Sequence, residues 1–159
     1  MVTEDALWSA LEEVMDPEVP VLSVVDLGVI RRVNITDNIL HIDLAPTYTG
    51  CPAMDVIQKR VEDALEPFGE VKVHTVLDPP WTTDWMTASG REKLEAYGIA
   101  PPVGKASDKR TLWSVQAAVG CPRCKSQNTE LISLFGSTAC KSLYQCRDCQ
   151  EPFDYFKCL

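Results

Sequence analysis

The chain has 159 residues, 45% of them hydrophobic and 24% charged, which fits one soluble globular domain or two small ones. No apolar run reaches the roughly 18 residues of a membrane span, and Met1–Asp5 shows neither a basic nor an apolar leader, so the expected location is the cytoplasm, away from membranes. Net charge is −8, and residues 1–100 hold 7 Lys/Arg against 18 Asp/Glu, an acidic surface that would repel phosphate backbones and excludes nucleic acid as the expected partner.

Taken in order, the chain opens with a helix signal. Thr3 can cap it, Glu4 and Asp5 suit its first turn, and Leu7, Leu11, Val14 and Met15 fall at helical spacing. Asp16-Pro17 should end it, because the residue before proline avoids the helical region. Asp16-Pro17-Glu18-Val19-Pro20 reads as an ordered turn; a plain helix stop explains the prolines but not Asp16 and Glu18. Val29–Ile35 and Ile39–Ala45 alternate as strands, joined by hairpin chemistry at Thr36-Asp37-Asn38.

The next stretch is Thr47-Tyr48-Thr49-Gly50-Cys51-Pro52. Pro52 suits the first position of a helix, which places Cys51 at the N-cap. A thiol there faces unpaired N–H groups and the positive end of the helix dipole, and both favour thiolate, the form that attacks electrophiles and binds metal. A small buried apolar filler is the competing reading of Cys51. Met54, Ile57, Val61, Ala64, Leu65 and Phe68 then form a helical stripe that Gly69 ends, and Val71, Val73, Thr75 and Leu77 alternate as a third strand. The order helix–strand–strand–helix–strand predicts an α+β domain. Its crossover makes the second and third strands parallel, in a small mixed three-stranded sheet with helices on one face. His41 and His74 fall on these strands without a partner motif, and read as surface or core histidines.

Two prolines keep Asp78–Trp85 from being a central strand; Trp81 and Trp85 are expected to pack over the sheet edge. Thr87 caps a short helix, Ala88–Tyr97, closed by Gly98. Residues 101–112 read as a linker by composition, which divides the chain into a domain of residues 1–100 and a tail of residues 113–159.

Seven cysteines in a cytoplasmic chain point to metal or redox chemistry. Cys121-Pro122-Arg123-Cys124 and Cys146-Arg147-Asp148-Cys149 are two CxxC pairs separated by 21 residues. Each offers two thiolates, and together they complete a tetrahedral site. With short strand-like runs at Glu130–Phe135, Ser142–Gln145 and Phe153–Lys157, the expectation is a zinc ribbon of short antiparallel strands whose metal is structural. Iron in the same cage, as a one-electron carrier, is the alternative. Cys140 and Cys158 lack this spacing and read as structural, partner-contact or additional ligand positions.

Asp16-Pro17-Glu18, Asp26-Leu27-Gly28, Thr47-Tyr48-Thr49-Gly50-Cys51-Pro52 and Pro79-Pro80-Trp81, in this order, resemble the metal–sulfur cluster assembly (SufT-like) family of accessory domains. The tail, with Phe135–Lys141 and Glu151-Pro152-Phe153, resembles the cysteine-rich extension of its phenylacetate-degradation branch. The resemblance implies a role in iron or iron–sulfur assembly with Cys51 as the reactive thiol, surrounded or oriented by Asp16, Glu18, Asp26, Thr47 and Thr49. For the branch it implies, as partners, the oxygenase subunits of a phenylacetyl-CoA epoxidase or its iron–sulfur flavoprotein reductase. Iron or a cluster would be a transient cargo. One cysteine supplies few ligands, so a homodimer bridging two copies of Cys51 is one way to complete a site. A redox component of the oxygenase or a structural adaptor are the alternatives. A catalytic role of the chain itself is not expected: there is no carboxylate–histidine set with diiron spacing, no glycine-rich nucleotide loop and no Cys–His pair near in sequence.

Overall fold

The computed structural model of the chain describes residues 1–103 and 119–157. Its contacts fall into two compact units. Met1–Trp81 and Trp85–Gly90 form the first; Thr82–Asp84 and the described residues from Arg91 onward form the second. Among the described residues no helix is long and apolar enough to cross a membrane.

The first unit begins with α1 (Glu4–Glu12), where the Thr3 hydroxyl accepts from the Ala6 N–H at 3.3 Å and Leu7 and Leu11 are fully buried. The helix ends before the expected Asp16-Pro17 stop. The backbone of residues 14–16 bonds to the returning chain instead: Val24 N–H donates to Val14 C=O (2.9 Å), Asp16 N–H to Leu22 C=O (2.8 Å), and Met15 bridges Ser23. Groups committed to this antiparallel contact cannot also extend a helix.

β1 (Ile30–Thr36) and β2 (Ile39–Leu44) pair antiparallel through a two-residue turn, Asp37 and Asn38, both with positive φ (53° and 61°). Asp and Asn tolerate that conformation, and such turns match the twist of the strands they join. After α2 (Met54–Leu65) and a 3₁₀ turn (Glu66–Phe68), β3 (Glu70–Thr75) pairs with β2 in parallel, giving the order β1-β2-β3. Leu40, Ile42 and Leu44 bury one face of β2; Ile57, Val61 and Leu65 are the buried stripe of α2, and α1 packs on α2 and β1. The sheet therefore has its helices on one face, as expected. The other face carries Arg32, Asn34, His41, Asp43, Lys72 and His74. Trp81 is buried and its indole N–H donates to Leu27 C=O at 2.9 Å, while Arg31 lies 3.5 Å over the Trp85 ring.

α3 (Ala88–Tyr97) is capped by Thr87, whose hydroxyl accepts from Gly90 N–H at 2.9 Å, and Gly98 (φ 96°) ends it. In the second unit β4 (Ile99–Ala100), β5 (Thr129–Ser133), β6 (Lys141–Cys146) and β7 (Pro152–Phe156) form one sheet in the order β4-β7-β6-β5. β5, β6 and β7 are the expected antiparallel ribbon. β4 adds to it in parallel with β7, immediately before the stretch read as a linker. Pro102 C=O accepts from Arg91 and Val103 N–H donates to the Tyr155 hydroxyl (3.2 Å); residues 104–112 of that stretch lie outside the described residues. One core cluster here is Ala100, Val119, Cys121, Tyr144, Cys146, Phe153 and Tyr155, with Tyr144 set edge-on to Tyr155.

Gly28 is fixed by two constraints. Its φ is +71°, and a Cβ there would collide with the carbonyl of Trp85 and come within 2.8 Å of the Trp85 Cβ. Gly98 has positive φ with open space around it. Calorimetric unfolding should show Gly28→Ala lowering Tm by about 10 °C and Gly98→Ala by less than about half of that, since only the first adds a backbone clash to left-handed strain.

Candidate functional site

β2 and β3 run parallel, so their carboxyl ends release two loops side by side. Val76 N–H donates to Leu44 C=O at 2.8 Å where the strands stop. Past that point Pro46, Thr47, Tyr48 and Thr49 face Val76, Leu77, Pro80 and Trp81 across a cavity of about 70 Å³. That volume admits a few waters or the tip of one side chain, well short of the several hundred Å³ that a drug-sized substrate fills.

Cys51 follows directly on the Thr47–Thr49 wall. Its N–H donates to Tyr48 C=O (3.2 Å), closing a turn in which Gly50 takes φ 80°; its C=O accepts from Met54 N–H (3.2 Å). The helix cap is Ala53, already helical at φ −76° and ψ −13°, and its C=O accepts the first helical bond, from Ile57 N–H at 2.9 Å. Cys51 is therefore not the N-cap expected from Pro52; it precedes the cap by two residues. A second tight turn, Cys51–Met54, absorbs the proline whose missing N–H suggests a helix start. Cys51 is half-buried between exposed Thr49, Gly50 and Pro52, which is not the environment of a core filler.

The other residues tied to this thiol by resemblance fall into two groups. Thr47 and Thr49 line the cavity. Asp16 and Asp26 are buried and organise the loop that precedes β1: Asp16 Oδ1 accepts from the N–H groups of Glu18 (2.8 Å) and Val19 (2.7 Å). Asp26 accepts from Ser23 N–H (3.3 Å) and the Thr87 hydroxyl (3.0 Å). Glu18 is half-buried within the turn that Asp16 caps. The structure also brings together His41 and His74, 33 residues apart in sequence, with Nδ1 and Nε2 at 3.1 Å.

The second cysteine set is a cage. Two knuckles of the same form present it: Lys125 N–H donates to Cys121 C=O and Cys149 N–H points at Cys146 Sγ (3.5 Å), and a residue with positive φ closes each, Lys125 (64°) and Gln150 (65°). The four sulfurs of Cys121, Cys124, Cys146 and Cys149 lie within 4.8 Å of one another, with Cys121–Cys149 at 3.7 Å and Cys124–Cys146 at 3.5 Å. Four thiolates about 2.3 Å from a tetrahedral ion stand about 3.8 Å apart, so the residues present fit one metal ion. The backbone N–H of Cys149, with that of Asp148, holds the Cys146 thiol down to about 7. The Ser126 N–H favours thiolate at Cys124, but desolvation and the neighbouring thiols push it up to about 12. Arg123–Glu151 and Arg147–Glu130 ion pairs (2.6 Å each) brace the two knuckles from outside.

Cys140 is buried, with the Thr138 hydroxyl 3.0 Å from its sulfur. It immediately precedes β6 while Cys146 ends it, a separation of about 20 Å along an extended strand, so it cannot join the cage. Cys158 lies outside the described residues.

Comparison with known proteins matches both units. Residues 4–77 match the iron–sulfur cluster assembly protein family, and residues 105–157 match the PaaD zinc beta ribbon domain. The chain is 47% identical to an Escherichia coli (strain K12) protein provisionally named as the D component of 1,2-phenylacetyl-CoA epoxidase, over 96% of this chain and 92% of that one. It is 40% identical to the Fe-S protein maturation auxiliary factor YitW of Bacillus subtilis (strain 168), over 53% of this chain and 85% of that one. The crystal structure of a DUF59 domain from Bacillus anthracis superposes with a TM-score of 0.54 at 31% identity, covering 57% of this chain and 90% of that one. With a likeness spanning nearly the whole length, on top of a four-sulfur cage and a parallel β2–β3 crossover, the chain belongs to the family of that epoxidase component, in which an iron–sulfur cluster assembly domain carries a PaaD zinc beta ribbon.

Proposed function

We propose that this chain is a non-catalytic accessory protein of iron–sulfur assembly, with Cys51 as its functional thiol and the oxygenase subunits or the iron–sulfur flavoprotein reductase of a phenylacetyl-CoA epoxidase as its clients. The observation that carries this reading is the setting of Cys51: a half-buried residue in an exposed turn, two positions after Thr49, which lines a cavity too small for a CoA thioester. One thiolate is one ligand. It can hold iron or the corner of a cluster while the remaining ligands come from a carrier or a client, and ligand exchange then releases the cargo. In this reading Thr47 and Thr49 shape the cavity wall that leads into the Cys51 turn, and Asp16 and Asp26 order the loop that precedes β1. The maturation role named for the Bacillus subtilis relative supports the assembly half of the proposal, and the name of the Escherichia coli relative supports the client.

We assign zinc to the ribbon cage, held by Cys121, Cys124, Cys146 and Cys149 in a closed structural site. Cys121 and Cys146 belong at once to the cage and to a buried cluster of the unit, so metal binding there adds to folding stability. The bound ion supplies a fixed charge that keeps all four sulfurs deprotonated.

In cells that depend on the epoxidase, Cys51→Ala should leave the fold and zinc content intact and lower epoxidase activity by about tenfold or more, as loss of a metal-handling residue does. Native activity in that variant would contradict the proposal. Metal analysis of the native chain should give one zinc per chain and a colourless protein; stoichiometric iron with visible absorption would make the ribbon an electron carrier instead. Cys124→Ala should abolish zinc binding and expose residues 119–157 to protease. Each ligand thiol must lose its proton to bind, so zinc affinity should rise with pH between about 6 and 8, by more than tenfold per unit if more than one proton is released.

A further inference from the structure

We propose that Ser126 and Asp148 are positioning residues of the ribbon's metal site, whose side chains clasp the two cysteine knuckles together and hold the cage in shape for its ion. The clasp presupposes the metal assigned to the cage and is independent of the role given to Cys51.

The two residues occupy comparable places. Ser126 lies two residues after Cys124 on the first knuckle, and Asp148 lies one before Cys149 on the second. Each turns its backbone toward a ligand sulfur. The Ser126 N–H is a hydrogen-bond donor to Cys124 Sγ, and the Asp148 N–H joins that of Cys149 as a donor to Cys146 Sγ. Those two sulfurs, one from each knuckle, stand 3.5 Å apart. The side chains of the same two residues also meet: the Ser126 hydroxyl donates to Asp148 Oδ2. Asn128 closes the arrangement, its N–H donating to Ser126 Oγ (3.0 Å) and its Nδ2 to Asp148 Oδ1 (2.9 Å). Both carboxylate oxygens therefore accept, and bonds to an ionised acceptor are the stronger kind.

That coincidence is the central observation. Ser126 and Asp148 are 22 residues apart in sequence, yet one side-chain contact fixes two N–H···S donors on separate knuckles. Groups that orient the ligands of a metal govern how tightly it is held. The clasp also serves the corner most open to attack. Cys124 is exposed, whereas Cys121 and Cys146 are buried and Cys149 is half-buried. An exposed corner is where water or a chelator first displaces a ligand, and the Ser126 N–H holds that corner. A surface hydrogen bond that steadies only its own turn is the competing explanation of the same contacts.

The test measures the zinc affinity of full-length protein by competition with a chelator of known strength. Asp148 is exposed and Ser126 half-buried, so truncating either leaves no cavity in the core. Ser126→Ala and Asp148→Ala should each weaken zinc binding by about tenfold, and Ser126→Thr, which keeps the hydroxyl, should bind as the native chain does. The double alanine variant should also lose about tenfold, because it removes the same contact; independent roles would multiply to about a hundredfold. With zinc bound, Ser126→Ala should speed hydrogen exchange at the Asp148 amide on the opposite knuckle and leave the Tyr144 amide unchanged. Native affinity in both single alanine variants, losses that multiply in the double variant, or an Asp148 amide indifferent to Ser126 would overturn the clasp. A native chain that fails to bind one zinc would instead overturn the metal assignment beneath it.

Discussion

The parallel register of β2 against β3, from Ile39↔Glu70 to Leu44↔Thr75, is the constraint on which the first unit depends. Parallel neighbours require a crossover, and α2 supplies it. Because both strands point the same way, their following loops leave from the same end, and the Thr47–Thr49 stretch leading into Cys51 meets the Val76–Trp81 segment across one small cavity. The register also sorts faces. Leu40, Ile42 and Leu44 go to the core while His41, Asp43 and His74 stay on the open side. A slip of β2 by one residue would exchange these sets, burying His41 and the Asp43 carboxylate.

The second unit is governed by a different balance. Seven buried residues make the cluster around the cage, and two of them, Cys121 and Cys146, are also corners of it. A metal held by those two residues would add its binding energy to the same cluster. β4 enlarges the sheet at little cost in chain, adding Ala100 to that core, with the Tyr155 hydroxyl accepting from Val103 N–H. The cage and Cys51 therefore answer to separate requirements. Four sulfurs converge on one point, while Cys51 lies in a solvent-facing turn.

Local chemistry was the legible part of the sequence. Thr3 and Thr87 cap the helices they precede, Asp37-Asn38 makes the hairpin, and two CxxC knuckles converge, because each of these depends on residues a few positions apart. What could not be read depends on pairing between distant segments or on competition between local bonds. β4 exists only because Ile99 and Ala100 find Asp154 and Tyr155. α1 stops early because residues 14–16 find residues 22–24. The helix cap moves from Cys51 to Ala53 because a turn closed by Met54 N–H fits the proline better than a helix start does. His41 and His74 show no motif, since their neighbourhood follows from the strand register alone.

The central claim is that Cys51, and not a ribbon sulfur, is the ligand that carries iron. The most direct measurement is iron K-edge absorption of the zinc-filled chain after anaerobic incubation with Fe²⁺ and sulfide and removal of unbound metal. The native chain should retain an iron–sulfur scattering shell and Cys51→Ala should lose it, with zinc content equal in both. The same shell at the same occupancy in Cys51→Ala would contradict the claim.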